Sequence, residues 1–176
     1  MKALIDGILA YSRAGRVESL ETISAAAVLK NVLTDLKVAI SESETEVVFE
    51  ALPSLQFVRS QFEQVIRNLI SNAVKYRRTT GQKVYVRAER QADTWIFSFA
   101  DSGIGFEPQY AEKVFGVFQR LHTRDQYLGT GIGLAIAKKN IERRGGKIWV
   151  KSAPNEGATF FFSVPDAVNL SETVSK

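Results

Sequence analysis

The sequence predicts an α/β domain in which a mixed, mostly antiparallel sheet carries helices on one face. Apolar residues recur at helical spacing in residues 25–40 and 60–76, and they alternate along residues 83–90 and 94–100. Helical segments are mixed with hairpins and do not alternate regularly with single strands. The sheet is therefore expected to be mixed or antiparallel.

The first elements are helical. A helix is expected over residues 1–13, where apolar side chains fall on one face, and Gly15 is suited to end it. A single amphipathic helix cannot bury its apolar stripe alone. It packs either on its own domain or in a dimerising bundle, and the residues alone leave both open. A second helix is expected over residues 25–40.

A short strand is expected at residues 47–49, and Leu52-Pro53 marks a turn after it. Residues 55–58 are expected to pair with that strand. The clearest helix follows over residues 60–76, because its apolar residues keep the i, i+3, i+4 pattern throughout.

The second half of the chain predicts two hairpins separated by a loop and a helix. Ala92-Asp93 forms the turn of the first hairpin. The tail after Pro165 is polar and expected to fray. The expected bounds are strands 83–90 and 94–100, a loop over 101–128 with a helical stretch near 110–120, a helix over 131–144 closed by Gly145 and Gly146, and strands 147–152 and 158–164.

The composition is that of an ordinary globular domain. The chain has 176 residues, 45% hydrophobic and 24% charged, enough for one compact domain and a short extra element. The absence of cysteine excludes disulfides and thiolate metal sites, and it fits a reducing cytoplasm. The net charge of +4 is too small to indicate nucleic-acid binding. No apolar run reaches the roughly 18 residues of a membrane span.

Three polar residues share one stripe of the helix over 60–76. Asn68, Asn72 and Lys75 stand at i, i+4 and i+7, beside the apolar face. Magnesium prefers hard oxygen ligands and keeps several waters, so an amide oxygen together with phosphates is a plausible shell. The alternative is a solvated polar stripe with no ligand.

The segment Asp101-Ser102-Gly103-Ile104-Gly105-Phe106 directly follows an apolar strand. A carboxylate at a strand end can accept a hydrogen bond from an exocyclic amine. The two glycines would let the backbone approach a flat ring closely. An ordinary turn after a strand is the alternative, since Asp-x-Gly is a weak signal alone.

A glycine-rich segment, Gly129-Thr130-Gly131-Ile132-Gly133-Leu134, opens the next helix. Amide N–H groups at the positive end of a helix dipole make a phosphate cradle. The segment lacks the Gly-Lys-Ser/Thr of a P-loop, and its glycine spacing differs from the dinucleotide fingerprint. A flexible hinge is the alternative.

The run from Val114 to His122 joins these two glycine segments. Phe115 and Phe118 could anchor a mobile loop while Arg120 faces the ligand, where an arginine would neutralise developing phosphoryl charge. Plain core packing of the two aromatics is equally compatible. His122 is the single histidine, and a surface role is expected for it.

Taken in order, these segments resemble the catalytic domain of sensor histidine kinases, whose superfamily includes the gyrase and mismatch-repair ATPases. The four boxes of the family stand here as QVIRNLISNAVKYR, ADSGIGF, VFGVFQRLH and GTGIGLAI, and the match covers about residues 45–165. The run FQRLHTRDQYLGTGIGLAIAKKNIERRGGKIWV looks especially like phytochrome-type and related PAS-linked kinases. The resemblance implies a two-layer α/β sandwich that binds ATP and Mg²⁺.

The resemblance also implies roles for individual residues. Residues 1–15 would be the end of the dimerisation hairpin, without the helix that bears the phosphorylated histidine. Residues 16–165 would be the catalytic domain, with a lid over about 107–130, and residues 166–176 a disordered tail. The implied ligand contacts are magnesium at Asn72, the same pocket at Asn68, phosphate at Lys75, adenine at Tyr76 and Asp101, the pocket floor at Gly103 and Gly105, the triphosphate border at Gly129, Gly131 and Gly133, and the γ-phosphate at Arg120. Thr130 and Leu134 would also bind the nucleotide, and Lys75 and Arg120 would be the catalytic residues.

One position separates transfer from hydrolysis. Hydrolysing relatives carry a water-activating glutamate four residues before the magnesium asparagine, and here that residue is Asn68, which cannot act as a base. The resemblance therefore implies phosphoryl transfer to a histidine of the dimerisation domain and then to a response regulator. A degenerate nucleotide-sensing or docking module and an autonomous ATPase are the alternatives. The fragment is expected to be a cytoplasmic monomer or weak homodimer without membrane or nucleic-acid contacts.

Overall fold

The computed structural model describes residues 19–78, 81–119 and 130–166. The helix expected over residues 1–13 and nearly all of the expected tail lie outside these ranges. The described part of the chain contains seven strands, which are β1 (Glu21–Ser24), β2 (Glu46–Phe49), β3 (Ser54–Phe57), β4 (Lys83–Gln91), β5 (Thr94–Asp101), β6 (Ile148–Ala153) and β7 (Gly157–Pro165). The α-helices of the same ranges are α1 (Ala25–Asp35), α2 (Lys37–Glu42), α3 (Arg59–Lys75) and α4 (Gly133–Glu142).

Five of the strands form the main sheet, in the order β2-β4-β5-β7-β6. The β2–β4 pair is parallel and the other pairs are antiparallel, as expected for a mixed, mostly antiparallel sheet. The alternating residues of β5 and β7 place one face of the sheet against the helices. The predicted α/β class is confirmed. None of the helices within the described ranges has the length and hydrophobicity of a membrane span.

The expected pairing of residues 55–58 with the strand at 47–49 is wrong. β3 instead pairs antiparallel with β1, with Ile23 opposite Leu55, and the two strands form a separate small sheet. Strand β1 is not among the elements expected from the sequence, because its four residues contain only one buried apolar side chain. So short a strand has too little periodicity to be recognised.

The helix expected over residues 25–40 is divided at Leu36, whose backbone angles of φ −91° and ψ 7° are not helical. Ser24 caps α1 by accepting a hydrogen bond from the Ala27 N–H. No residue of α2 is buried, and Val38 is 61% exposed. The apolar stripe therefore holds α1 against the core with fully buried side chains, whereas α2 contributes the partly buried Ile40.

Helix α3 is fixed on the sheet by aromatic contacts around Phe62. Its ring lies 5.3 Å from Phe57, 5.7 Å from Phe97 and 6.0 Å from Phe162, each in an edge-to-face arrangement. Phe97 and Phe162 face each other across β5 and β7. All four rings are fully buried. This cluster fixes the helix that also carries Asn68, Asn72 and Lys75.

Candidate functional site

A cavity of about 340 Å³ lies between α3, the loop after β5 and the start of α4. Most predicted site residues line it, and seven further residues, five of them apolar, complete its walls. The predicted residues lining the cavity are Asn68, Asn72, Lys75, Tyr76, Asp101, Gly105, Thr130, Gly131, Gly133 and Leu134. The others are Ser71, Ile104, Phe106, Val114, Gln119, Ala158 and Phe160.

Two of the predicted residues, Arg120 and Gly129, lie outside the described residues, as does His122. Gly103 is not in the cavity lining but lies directly behind it, where an added Cβ would stand 2.5 Å from the Tyr76 carbonyl oxygen. The structure therefore brings the rest of the predicted site together. The roles of these residues stay predictions.

Helix α3 contributes one polar stripe to the cavity. Asn68, Asn72 and Lys75 lie along it, because the neighbouring Leu69 and Ala73 are turned into the core. Lys75 Nζ donates a hydrogen bond of 2.8 Å to the Tyr76 hydroxyl and lies 4.4 Å from the centre of that ring. The ammonium group is thus held at the cavity wall by both interactions.

Asn68 and Gly133 contact each other where α3 meets the start of α4. A Cβ on Gly133 would stand 2.9 Å from Asn68 Oδ1, closer than real side chains approach. Asn68 Nδ2 is buried and has no hydrogen-bond partner among the described residues. A buried donor without an acceptor is costly, so this amide has an unused capacity to bind a ligand oxygen.

Asp101 ends β5 with its carboxylate at the cavity. Oδ1 accepts hydrogen bonds from the Gly103 N–H at 2.8 Å and from the Ala158 N–H at 3.3 Å. Burial raises the pKa of Asp101 from 3.8 to about 6, although these two backbone hydrogen bonds act in the opposite direction. The carboxylate is therefore held in one orientation and is easier to protonate than an exposed one.

The loop after Asp101 is packed tightly between α3 and the β6–β7 turn. The Ile104 N–H donates to the Tyr76 carbonyl at 2.9 Å, and the Asn155 N–H donates to the Ile104 carbonyl at 2.7 Å. Gly105 has φ +59°, and a Cβ there would stand 2.0 Å from the Ala153 carbonyl oxygen. Only glycine fits this position, because the backbone of the β6–β7 turn lies so close. The predicted approach of this loop to a flat ring stays a prediction.

The segment beyond the loop forms two short 3₁₀ turns, Pro108–Tyr110 and Lys113–Phe115, where a longer helical stretch was expected. Phe115 is buried, with its ring edge-on to Phe160 at 6.2 Å. Phe118 is 51% exposed and has φ +62°, so the expectation that it anchors the segment is wrong. One aromatic therefore holds this segment and the other faces solvent.

Strand alternation indicates which residues of β7 face inward, but it does not indicate that they line the cavity. Ala158 and Phe160 are on the inward face of β7, and the pairing of Asp101 with Ala158 brings them beside the carboxylate. That pairing joins positions 57 residues apart, so no local pattern reveals it. Ser71 and Gln119 carry no signal that separates them from solvated polar residues.

A strand-end carboxylate, a polar helix stripe and a glycine turn around one cavity define a nucleotide-binding α/β sandwich. The family of histidine kinase-, DNA gyrase B-, and HSP90-like ATPases matches residues 58–168. The chain belongs to this family. Among curated proteins it is 42% identical over 166 residues to cyanobacterial phytochrome A of Nostoc sp. (strain PCC 7120), which covers 94% of this chain. The chain spans only 22% of that relative.

Solved structures of histidine kinases have the same fold. Full-length ShkA in complex with AMPPNP superposes with a TM-score of 0.79 at 26% identity, over 94% of this chain and 35% of that one. Histidine kinase ThkA in complex with the response regulator protein TrrA has a TM-score of 0.75 at 25% identity, over 94% of this chain and 47% of that one. The two-layer sandwich of this family is confirmed.

Proposed function

We propose that this domain binds Mg-ATP and donates the γ-phosphoryl group to a histidine of a dimerisation domain, which passes it to an aspartate of a response regulator. The observation that carries the proposal is the position of Asp101, Asn68 and Gly133 around one cavity. The three groups suit an adenine amine, a phosphate oxygen and a phosphate cradle, respectively. They come from three separate parts of the chain.

Asp101 is the proposed acceptor for the adenine amino group. Both of its backbone hydrogen bonds reach Oδ1, and within the described chain none reaches Oδ2. Oδ2 is thus available to an amine donor in the cavity. Phe106, Ile104 and Leu134 supply apolar walls for a flat ring.

The phosphates and magnesium are assigned to the other side of the cavity. The described residues contain no cluster of three His, Cys, Asp or Glu side chains that could hold a metal. Magnesium there would rely on the Asn72 amide oxygen, water and phosphate, a shell that suits this ion, and it would neutralise phosphate charge. The unpaired Asn68 Nδ2 fits a phosphate oxygen. Lys75 uses one of its three ammonium donors on the Tyr76 hydroxyl, and the remaining donors suit a phosphate oxygen.

The chain's own contribution to transfer is positioning and charge neutralisation. Gly131 and Gly133 line the cavity at the start of α4, where the amide N–H groups of a helix N-terminus suit phosphate oxygens. Arg120, which lies outside the described residues, is proposed to approach the γ-phosphate. Asn68 has no base function, which favours transfer over hydrolysis. Phosphate release by the isolated domain distinguishes an autonomous ATPase, since such an enzyme would turn over without an acceptor.

The solved structures of relatives support the proposed nucleotide and the proposed protein partner. The ShkA structure contains AMPPNP, and the ThkA structure contains a response regulator. We extend both to this chain, with residues 1–15 as the end of a dimerisation hairpin and 16–165 as the catalytic domain. A module that only senses nucleotide would share the binding and lack the transfer. A supplied acceptor helix that stays unphosphorylated would favour such a module.

Thermal unfolding with and without Mg-ATP tests the binding step. ATP at about 100 times its dissociation constant should add about 2.7 kcal/mol to the free energy of unfolding. For a domain of this size the midpoint rises by roughly 5 to 10 °C. We expect a smaller rise with GTP, because guanine places a carbonyl where adenine has its amine. No rise with either nucleotide in a folded sample would contradict the proposal.

The raised pKa of Asp101 predicts a pH dependence of ATP affinity. With a pKa of about 6, the acceptor is protonated in acid, and affinity should be about tenfold lower at pH 5 than at pH 7.5. The same raised pKa makes the nucleotide-free fold more stable below about pH 4 and removes that stability as pH rises through about 6. Titration calorimetry across this range measures the affinity. Asp101→Asn is the control: it lacks the titrating carboxylate, so any pH dependence of affinity that it keeps comes from the titration of ATP itself.

A further inference from the structure

Asn140 is a polar residue in the core that none of the proposed chemistry uses. It lies on α4 between Ala137 and Ile141, and all three side chains are fully buried. Its Nδ2 donates to Gln64 Oε1 at 3.1 Å and to the Gln61 carbonyl at 3.4 Å, both on α3. Its Oδ1 is buried without a partner among the described residues. An amide with one unpaired group is not the most stabilising side chain for this position.

The contact of Asn140 with α3 belongs to the same helix alignment as the contact between Gly133 and Asn68 at the site. At the start of α4, Gly133 lies against Asn68 of α3. Seven residues further along α4, Asn140 bonds to Gln61, which precedes Asn68 by seven residues in α3. Seven residues span about 10.5 Å in each helix, so both contacts belong to one antiparallel alignment of α3 and α4. The two contacts are the ends of the same helix pair.

We propose that Asn140 is a positioning residue: it sets the register of α4 on α3 and so holds the glycine turn at Thr130–Gly133 against Asn68 for nucleotide binding. This inference rests on the proposed nucleotide function. The apolar contacts of α4 are non-directional and tolerate sliding. The hydrogen bonds of Asn140 to Gln64 and to the Gln61 carbonyl are directional, and a slip of one residue would move α4 by about 1.5 Å relative to both acceptors. A buried amide that fixes a helix register is a known use of such residues.

Asn140→Leu tests the proposal, because it keeps the number and branching of the side-chain heavy atoms and removes the hydrogen bonds. We expect unchanged or higher thermal stability together with a dissociation constant for Mg-ATP raised about tenfold. If the leucine variant does not fold, Gln64→Met is the alternative, because it removes the acceptor from a less buried position. It should give the same loss of Mg-ATP affinity. The exchange Asn140→Gln with Gln64→Asn keeps both amides and should return the affinity to within about threefold of wild type.

Ile141→Val is the matched control, since it removes one buried methylene from the same turn. It should lower stability and leave the affinity unchanged. In the nucleotide-free protein, the side-chain amide resonance of Asn68 and the backbone amide resonance of Gly133 should shift in Asn140→Leu and not in Ile141→Val. Wild-type affinity and unshifted resonances in the Asn140 and Gln64 variants would overturn the positioning role. Wild-type protein that binds no ATP would refute the proposed function. The Asn68 and Gly133 resonances of the nucleotide-free variants would still test whether Asn140 sets the register of α4 on α3.

Discussion

Asp101→Asn is expected to weaken ATP binding about 100-fold while the domain stays folded. The Gly103 and Ala158 N–H groups hold Oδ1, so the asparagine keeps its oxygen there and places Nδ2 where Oδ2 was. Two donors, this amide and the adenine amine, then face each other. Loss of a hydrogen bond to a charged acceptor costs about 1.5 to 3 kcal/mol, and the unpaired donor adds to it. Calorimetric titration with Mg-ATP measures the change.

The same substitution should not lower stability. Burial is what raises the pKa of Asp101 to about 6. At neutral pH the neutral amide removes a desolvation cost of up to about 3 kcal/mol and keeps the acceptor for both backbone donors. The melting temperature should be equal or higher by several degrees. The ratio of ATP to GTP affinity should also fall, because guanine offers an acceptor to the new Nδ2. An unfolded variant, or one with wild-type ATP affinity, would contradict the assignment of Asp101.

Gly105→Ala is expected to destabilise the domain by about 3 kcal/mol. The backbone at φ +59° costs a side chain about 1 to 2 kcal/mol. The Cβ would also stand 2.0 Å from the Ala153 carbonyl oxygen and 2.8 Å from the Gly157 carbonyl oxygen, so the β6–β7 turn has to move. Such overpacking adds about 1 to 3 kcal/mol. Urea unfolding followed by circular dichroism gives the free energy of unfolding directly.

Gly81→Ala separates the two causes. Gly81 has φ +75°, and nothing lies within 4 Å of its added Cβ. It carries the backbone cost alone, so a loss of about 1 kcal/mol is expected. Equal losses at both glycines would mean that the close approach to Ala153 does not matter. The predicted difference assigns to Gly105 a packing role in addition to its backbone conformation.

Much of the site could be predicted from the sequence, because its signals are local. The stripe of Asn68, Asn72 and Lys75 follows from helical spacing within one long periodic element. The carboxylate at Asp101 follows from an apolar strand that ends there. Each of these patterns spans fewer than ten residues, and the structure places the three stripe residues and Asp101 around one cavity.

The sequence by itself determined the α/β class, the helix α3, both hairpins and most of the cavity-lining residues, since hydrophobic period and glycine spacing are properties of short segments. Only the tertiary structure decided that β3 pairs with β1, that Phe118 faces solvent and that Ala158 lies against Asp101. It also decided the alignment of Asn140 with Gln61. The contacts of β3 with β1, of Ala158 with Asp101 and of Asn140 with Gln61 join residues far apart in the chain. Their choice depends on which apolar surfaces are buried together and which buried polar groups find partners, and no local pattern contains that information.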